Sequence, residues 1–199
     1  MSDDDPGSWP LGASLLSAGE RAELLHLARL AIGASLGLTD PPELRLRTAN
    51  LLEPSGAFVT LHLQGNLRGC IGTLQATEGA LYETVIRTAR AAAFDDPRFP
   101  ALTEVEWHCV QIEISRLSRP RRLAPEQVIA GVHGVHIARG SARALFLPQV
   151  AQQRAWDSRR LLREVCRKAG LSEEAWQETG TELTVFTAEV FGNEPDLPP

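Results

Sequence analysis

The segment Leu67-Arg-Gly-Cys-Ile-Gly-Thr73 carries the residue types best suited to chemistry. A cysteine stands between two glycines inside a strand-like run, and glycine weakens a strand unless the backbone must bulge or be closely approached. The preceding run, Phe58-Val-Thr-Leu-His-Leu63, alternates apolar and polar residues. Gly65-Asn66 signals a turn, so 58–63 and 67–72 are predicted to pair as a hairpin. A Gln64-Gly-Asn66 loop sets Leu63 opposite Leu67, His62 opposite Arg68, Thr60 opposite Cys70 and Val59 opposite Ile71. That register gathers Val59, Leu61, Leu63, Leu67 and Ile71 on one apolar face and Thr60, His62, Arg68 and Cys70 on the other, whereas a two-residue Gly-Asn loop mixes the sets. In this arrangement the Arg68 guanidinium favours a Cys70 thiolate and His62 can accept its proton, which is what a nucleophilic thiol needs. Gly69 and Gly72 leave backbone amides open to a ligand oxygen. The same residues also fit a plainer reading, a small buried cysteine in a tight hairpin.

A second candidate is Asp95-Asp-Pro-Arg-Phe-Pro100. Its two prolines restrict the backbone, which suits a loop presenting Asp96 and Arg98 in set positions, or simply a helix terminator with an internal ion pair. Gln149, just past Leu147-Pro148, is a candidate polar group at a cleft edge or an ordinary exposed glutamine. His133 and His136 fall on opposite faces of any strand that holds them, so they make a poor metal pair and no metal site is expected. Cys166 shares a helix face with Leu162 and Ala169, and Cys109 alternates with Trp107; both read as core. The arginine run 116–122 lacks interleaved aromatics and reads as a solvated linker.

These residues need a scaffold. Ser17 and Glu20 have capping-box spacing, and Leu24, Leu27, Ala28, Ala31 and Ile32 follow helical period, so a helix is predicted over 18–35, stopped by Gly37. Residues 39–56 form a proline- and glycine-rich excursion with a short strand around 44–50. A helix capped by Thr77 is expected over 78–93, then a long strand over 106–116 and a short helix near 125–130. A hairpin pairs 135–137 with 144–147, and Pro148 opens a helix. Another helix runs from the cap Asp157 to Ala169, stopped by Gly170. Ser172 opens a further short helix, and 184–191 is the last strand. Hairpins mixed with helices imply an α+β fold with a mainly antiparallel sheet flanked by helices.

Composition narrows the function classes. At 199 residues the chain is one domain or two small lobes sharing a core. With 43% hydrophobic and 23% charged residues, wholesale disorder is excluded. A net charge of −5 argues against general nucleic-acid binding. The amino terminus has neither the basic nor the apolar segment of a secretory signal, and no run approaches the ~20 apolar residues of a membrane span. Three cysteines with no C-x-x-C pair fit a cytoplasmic protein. Residues 1–12 are expected to be flexible, 13–192 to form one two-lobed folding unit, and 193–199 to be a tail.

Six segments, LRGCIGT (67–73), AAFDDPRFPALT (92–103), EISRLS (113–118), GVHGVHIARG (131–140), LFLPQVA (145–151) and CRKAGL (166–171), follow one another in an order that resembles the AMMECR domain family. Its prokaryotic form is AmmeMemoRadiSam system protein A. The resemblance spans about residues 17–192. It implies an α+β fold with a larger and a smaller lobe and a cleft between them lined by the signature. It also implies company, a Memo-like protein and a radical SAM protein, but no reaction. Arg68, Gly69, Cys70, Ile71 and Gly72 match the signature, Asp96 to Pro100 the loop, and Leu147, Pro148 and Gln149 the third motif. Two departures stand out: Arg143-Ala144 replaces a glycine and a small residue, and Ala101 replaces a proline.

Two functions are open on this reading. One is a binding module holding an anionic small molecule or a partner's peptide through Arg68, Gly69, Gly72, Asp96, Arg98 and Gln149. The other is a thiol-dependent enzyme using Cys70, Arg68 and His62. Nucleic-acid binding ranks last. The residues name no cofactor.

Overall fold

The computed structural model describes residues 15–75 and 79–192. In chain order the elements are α1 (Ala18–Ser35), α2 (Ala49–Leu52), β1 (Ala57–Leu63), β2 (Asn66–Thr73), α3 (Leu81–Phe94), α4 (Glu104–Cys109), β3 (Gln111–Leu117), β4 (Arg121–Arg122), β5 (Gly134–Arg139), β6 (Ala142–Phe146), α5 (Pro148–Gln153), α6 (Ser158–Lys168), β7 (Glu182–Phe186) and β8 (Ala188–Gly192). The fold is α+β as expected, but with two four-stranded sheets, ordered β2-β1-β3-β8 and β4-β7-β5-β6. The chain divides into two compact units, one holding residues 15–117 and 189–192 and the other Ser118–Ala188.

In the first unit α1 begins as its sequence dictates. The Ser17 hydroxyl accepts from the Glu20 amide, and the Glu20 carboxylate accepts the Ser17 amide at 2.7 Å. Gly37 ends it at φ +74°, a conformation that disfavours any residue with a Cβ. Leu24, Ala28 and Ile32 of α1 and Leu81, Val85, Ala89 and Ala92 of α3 are buried with Val59, Leu61, Ile112 and Ile114 of the sheet. Alternation in β1 and β3 therefore sends one face into the core.

Two expectations fail in this unit. No strand forms near 44–50; the buried Leu51 anchors the four-residue α2 there instead. The helix expected over about 78–93 forms as α3, from Leu81 to Phe94 with Leu81, Val85 and Ala89 buried, and the Ala80 amide donates to Glu83 at 2.8 Å. Thr77, its expected cap, lies outside the described residues. The strand expected over 106–116 starts as α4, because Thr103 and Glu106 form a reciprocal capping box that winds a helical turn before β3 begins. Cys109 consequently lies exposed at the end of α4 rather than in the core.

In the second unit Val135, Ile137, Leu183 and Val185 pack with Leu161, Leu162, Val165 and Cys166 of α6. Asp157 caps α6, accepting the Arg160 amide at 2.7 Å, and Pro148 opens α5, both as predicted. The expected helices near 125–130 and after Ser172 shrink to three-residue 3-10 turns, Pro125–Gln127 and Ala175–Gln177. The single last strand is two strands, β7 and β8, in different sheets. The break falls at Thr187, whose amide donates to the Ser118 hydroxyl at 2.9 Å rather than to a ladder partner.

Candidate functional site

The hairpin that carries Cys70 turns at Gln64 (φ +52°) and Gly65 (φ +77°). Two positive φ angles make the two-residue turn whose twist matches paired strands. Leu63 therefore faces Asn66 and His62 faces Leu67, which corrects the three-residue loop expected from sequence. A register shift between Leu61 and His62 absorbs the residue left over, and that residue is Arg68. Beyond the bulge Leu61 faces Gly69, Thr60 faces Cys70 and Val59 faces Ile71, the last two as predicted.

The bulge changes what Arg68 does. Its side chain is buried and turns to α4, where Nε donates to Glu106 Oε1 at 2.8 Å and Nη2 to Oε2 at 3.0 Å. Nη2 also reaches the Ala101 carbonyl at 3.3 Å. These bonds hold the Glu106 carboxyl down at about 2. Arg68 thus serves Glu106 and does not join His62 and Cys70 as expected. Thr103-x-x-Glu106 marks the helix start that places Glu106, but nothing in that spacing names Glu106 as the partner of Arg68.

Cys70 lies on the edge strand of its sheet. An edge exposes main-chain groups with no neighbour. At Cys70 the expected loop supplies the neighbour: the Cys70 amide donates to Asp96 Oδ2 at 2.9 Å, and its carbonyl accepts from Arg98 Nη2 at 3.4 Å. Asp96 is buried and also accepts from Arg98 through the main-chain amide at 3.1 Å, Nε at 2.9 Å and Nη2 at 2.6 Å. The Arg98 hydrogen bonds, ahead of the Cys70 amide, hold the Asp96 carboxyl well below the usual carboxylate range. Arg98 keeps half of its side chain exposed (53%), and Phe99 lies 5.4 Å from its guanidinium and 6.0 Å from that of Arg68.

The sulfur has a different partner from the one expected. Thr60 Oγ1 donates to Cys70 Sγ at 3.3 Å, while His62 is set opposite Leu67 on one side and Gln111 on the other. Burial pushes the Cys70 thiol up, with Asp96 and Glu113 adding to the rise, against the opposing pull of the Thr60 hydroxyl and the Arg98 charge. Burial therefore disfavours the expected thiolate, and its intended cation, Arg68, is bound to Glu106 instead.

Both glycines have packing reasons. A Cβ on Gly69 would lie 2.1 Å from the Ala92 carbonyl oxygen, so glycine lets α3 close on the sheet. A Cβ on Gly72 would lie 2.2 Å from the Phe58 ring across the ladder. Amides alternate direction along an antiparallel strand, and that of Cys70 points outward to Asp96. Gly72, two residues on, points the same way, whereas the Gly69 amide points to β1 and is not open to a ligand as expected.

Gln149 lies half-buried in the first turn of α5, in the unit that does not contain Cys70. His133 is buried, its Nδ1 accepting the Ile129 amide at 3.0 Å, and His136 meets the Thr184 hydroxyl at 3.2 Å. Among the described residues no group of three His, Cys, Asp or Glu side chains could hold a metal ion. No helix among them is long and apolar enough to cross a membrane.

Residues 25–191 match the family model AMMECR1. The chain belongs to the AMMECR1 family. A protein of Thermofilum pendens is 37% identical over 196 residues, covering 88% of this chain and 91% of its own. One from Methanothermobacter thermautotrophicus is 36% identical over 191 residues, covering 88% and 95%. The crystal structure of uncharacterized protein PH0010 from Pyrococcus horikoshii aligns with a TM-score of 0.79 at 33% identity, over 88% of this chain and 92% of that one. The AMMECR1 fold is thus shared with these relatives, whose names state no activity. In this AMMECR1 chain the chemistry on offer is a strand-edge thiol whose ionisation burial disfavours, a half-exposed guanidinium and an outward glycine amide.

Proposed function

We propose that the chain is a non-catalytic binding module, in which the Cys70 edge of β2, framed by Asp96 and Arg98, receives an anionic small molecule or a partner's peptide. The observation that carries this reading is the use made of the charged groups. Arg68 is committed to Glu106 and Asp96 to Arg98, and Thr60 rather than a base bonds the sulfur. What remains open to a guest is the exposed part of Arg98 and the Gly72 amide, which are recognition groups rather than a proton relay. The module acts beside a Memo-like protein and a radical SAM protein, to which it presents its guest. Three free cysteines fit a reducing cytosolic setting.

A thiol-dependent enzyme is the second reading. It is favoured by the Arg98 charge, which draws the Cys70 thiol toward ionisation. Mass spectrometry of material released from purified wild-type and Cys70→Ser protein separates the two. The module predicts the same non-covalent guest from both proteins. A covalent adduct on Cys70, absent from Cys70→Ser, would instead establish the thiol as a nucleophile.

A further inference from the structure

In the unit that carries Cys70, the buried or half-buried carboxylates among the described residues are Glu20, Glu23, Asp96, Glu106, Glu113 and Glu189. All but one accept hydrogen bonds: Glu20 from Thr48, Glu23 from the Arg45 amide, Asp96 from Arg98, Glu106 from Arg68 and Glu189 from Arg21. The exception is Glu113, which has no donor and no ion pair among the described residues. A charge that gives up part of its water without gaining a donor is costly to keep. Glu113 stands on β3, an interior strand of its sheet, where glutamate is a poor choice on propensity alone. Neither of its oxygens is sealed from solvent, so a guest can reach them.

The sheet register places this carboxylate beside the candidate site. Thr60 lies opposite Glu113 on one side and opposite Cys70 on the other. Ile112 and Ile114, flanking Glu113, are buried in the core, so Glu113 shares the other face with Thr60 and Cys70. The Glu113 charge is felt by the Cys70 thiol. One step along the same face His62 stands opposite Gln111, both half-buried. These neighbours offer a hydroxyl oxygen, an amide oxygen and a ring nitrogen, and none is a lysine or arginine. An ammonium group, with three donors and a full charge, complements such a floor. We propose that the guest received at the Cys70 edge is zwitterionic, its anionic end at Arg98 and Gly72 and an ammonium group on Glu113. This deepens the binding-module reading and rests on it. Neighbouring strands lie about 4.8 Å apart, so Glu113 is about 10 Å from the strand that carries Cys70. An extended tripeptide with free ends spans about the same length.

The test titrates the whole chain with triglycine and with N-acetyltriglycine, followed on the backbone amides of Gly72 and Glu113 by proton–nitrogen NMR. Triglycine carries both charges, whereas its acetylated form keeps only the carboxylate. The expected result is a saturable shift of both signals by triglycine and about ten-fold weaker binding of N-acetyltriglycine, the worth of one charged hydrogen bond at a half-buried site. That comparison is made on the wild type and needs no variant. Glu113→Gln, with an otherwise unchanged spectrum, should bind triglycine about ten-fold more weakly and no longer tell the two peptides apart. Equal binding of the two peptides by the wild type, or wild-type affinity for triglycine in Glu113→Gln, overturns the ammonium site and leaves the module reading standing. A shift at Glu113 that is lost in Glu113→Gln, with Gly72 unmoved, keeps the ammonium site and overturns the anionic end of the module. No shift of either signal up to about 20 mM triglycine, beyond millimolar affinity, overturns both.

Discussion

Replacing Asp96 with asparagine tests whether the loop clamps the strand edge. The Asp96 carboxylate accepts four hydrogen bonds, from the Cys70 amide and from the amide, Nε and Nη2 of Arg98. Asparagine offers one acceptor oxygen and turns its NH₂ group toward donors on the other side. Hydrogen bonds to a charged group contribute roughly 1.5–3 kcal/mol each. The Arg98 side chain is 53% exposed and can return to water, so its share is discounted. The Cys70 amide has no such escape. A loss of about 2–3 kcal/mol follows, or about 4–12 °C in Tm for a chain of this size. The pH dependence adds a sharper signature. The folded carboxyl stays charged below the unfolded value of about 3.9, so near that pH the unfolded chain binds more protons and stability rises with pH. The wild-type advantage is complete above about pH 5 and is lost as pH falls through the folded value. Scanning calorimetry of both proteins from neutral to acid pH measures this. Equal Tm values at pH 7, or a gap that does not shrink on acidification, would refute the clamp.

Other outcomes follow from the same geometry. Gly69→Ala places a Cβ 2.1 Å from the Ala92 carbonyl, with backbone on both sides, and should cost about 3 kcal/mol in urea unfolding; a cost near zero means α3 does not sit as described. Ala155 has φ +50°, so Ala155→Gly should raise Tm, worth up to about 1 kcal/mol; an unchanged or lower Tm removes the strain argument. With a thiol reagent and mass readout, exposed Cys109 should label first and buried Cys166 last; the reverse order contradicts their burial.

Much of the scaffold is legible in the residues because its signals are local. The Ser17–Glu20 capping box and the Asp157 cap with Gly170 each act within one helical turn. The pairings of Thr60 with Cys70 and Val59 with Ile71 follow from alternation and a loop one residue longer than the real turn, a difference that the bulge at Arg68 offsets. The misread features depend on what lies across the fold. Gln64 adopts a positive φ that no composition rule demands, so the residues imply a turn one residue too long and no bulge at Arg68. Once Arg68 is misplaced, its bond to Glu106, 38 residues away, has no local trace. The capping box at Thr103 and Glu106 was a readable signal, overshadowed by the alternation of the following strand. The candidate site was legible as a set of motifs, whereas the assignment of charges within it was not.

The central claim is that Cys70 is held as a neutral thiol at a recognition edge. Iodoacetamide alkylation of Cys70 in the folded protein, followed by peptide mass spectrometry across pH, tests it most directly. Burial and the carboxylates of Asp96 and Glu113 should keep the midpoint above the ordinary thiol value of about 8.5, with little labelling at neutral pH. A midpoint at or below about 7.5, typical of activated thiols, would contradict the claim and return Cys70 to the role of nucleophile.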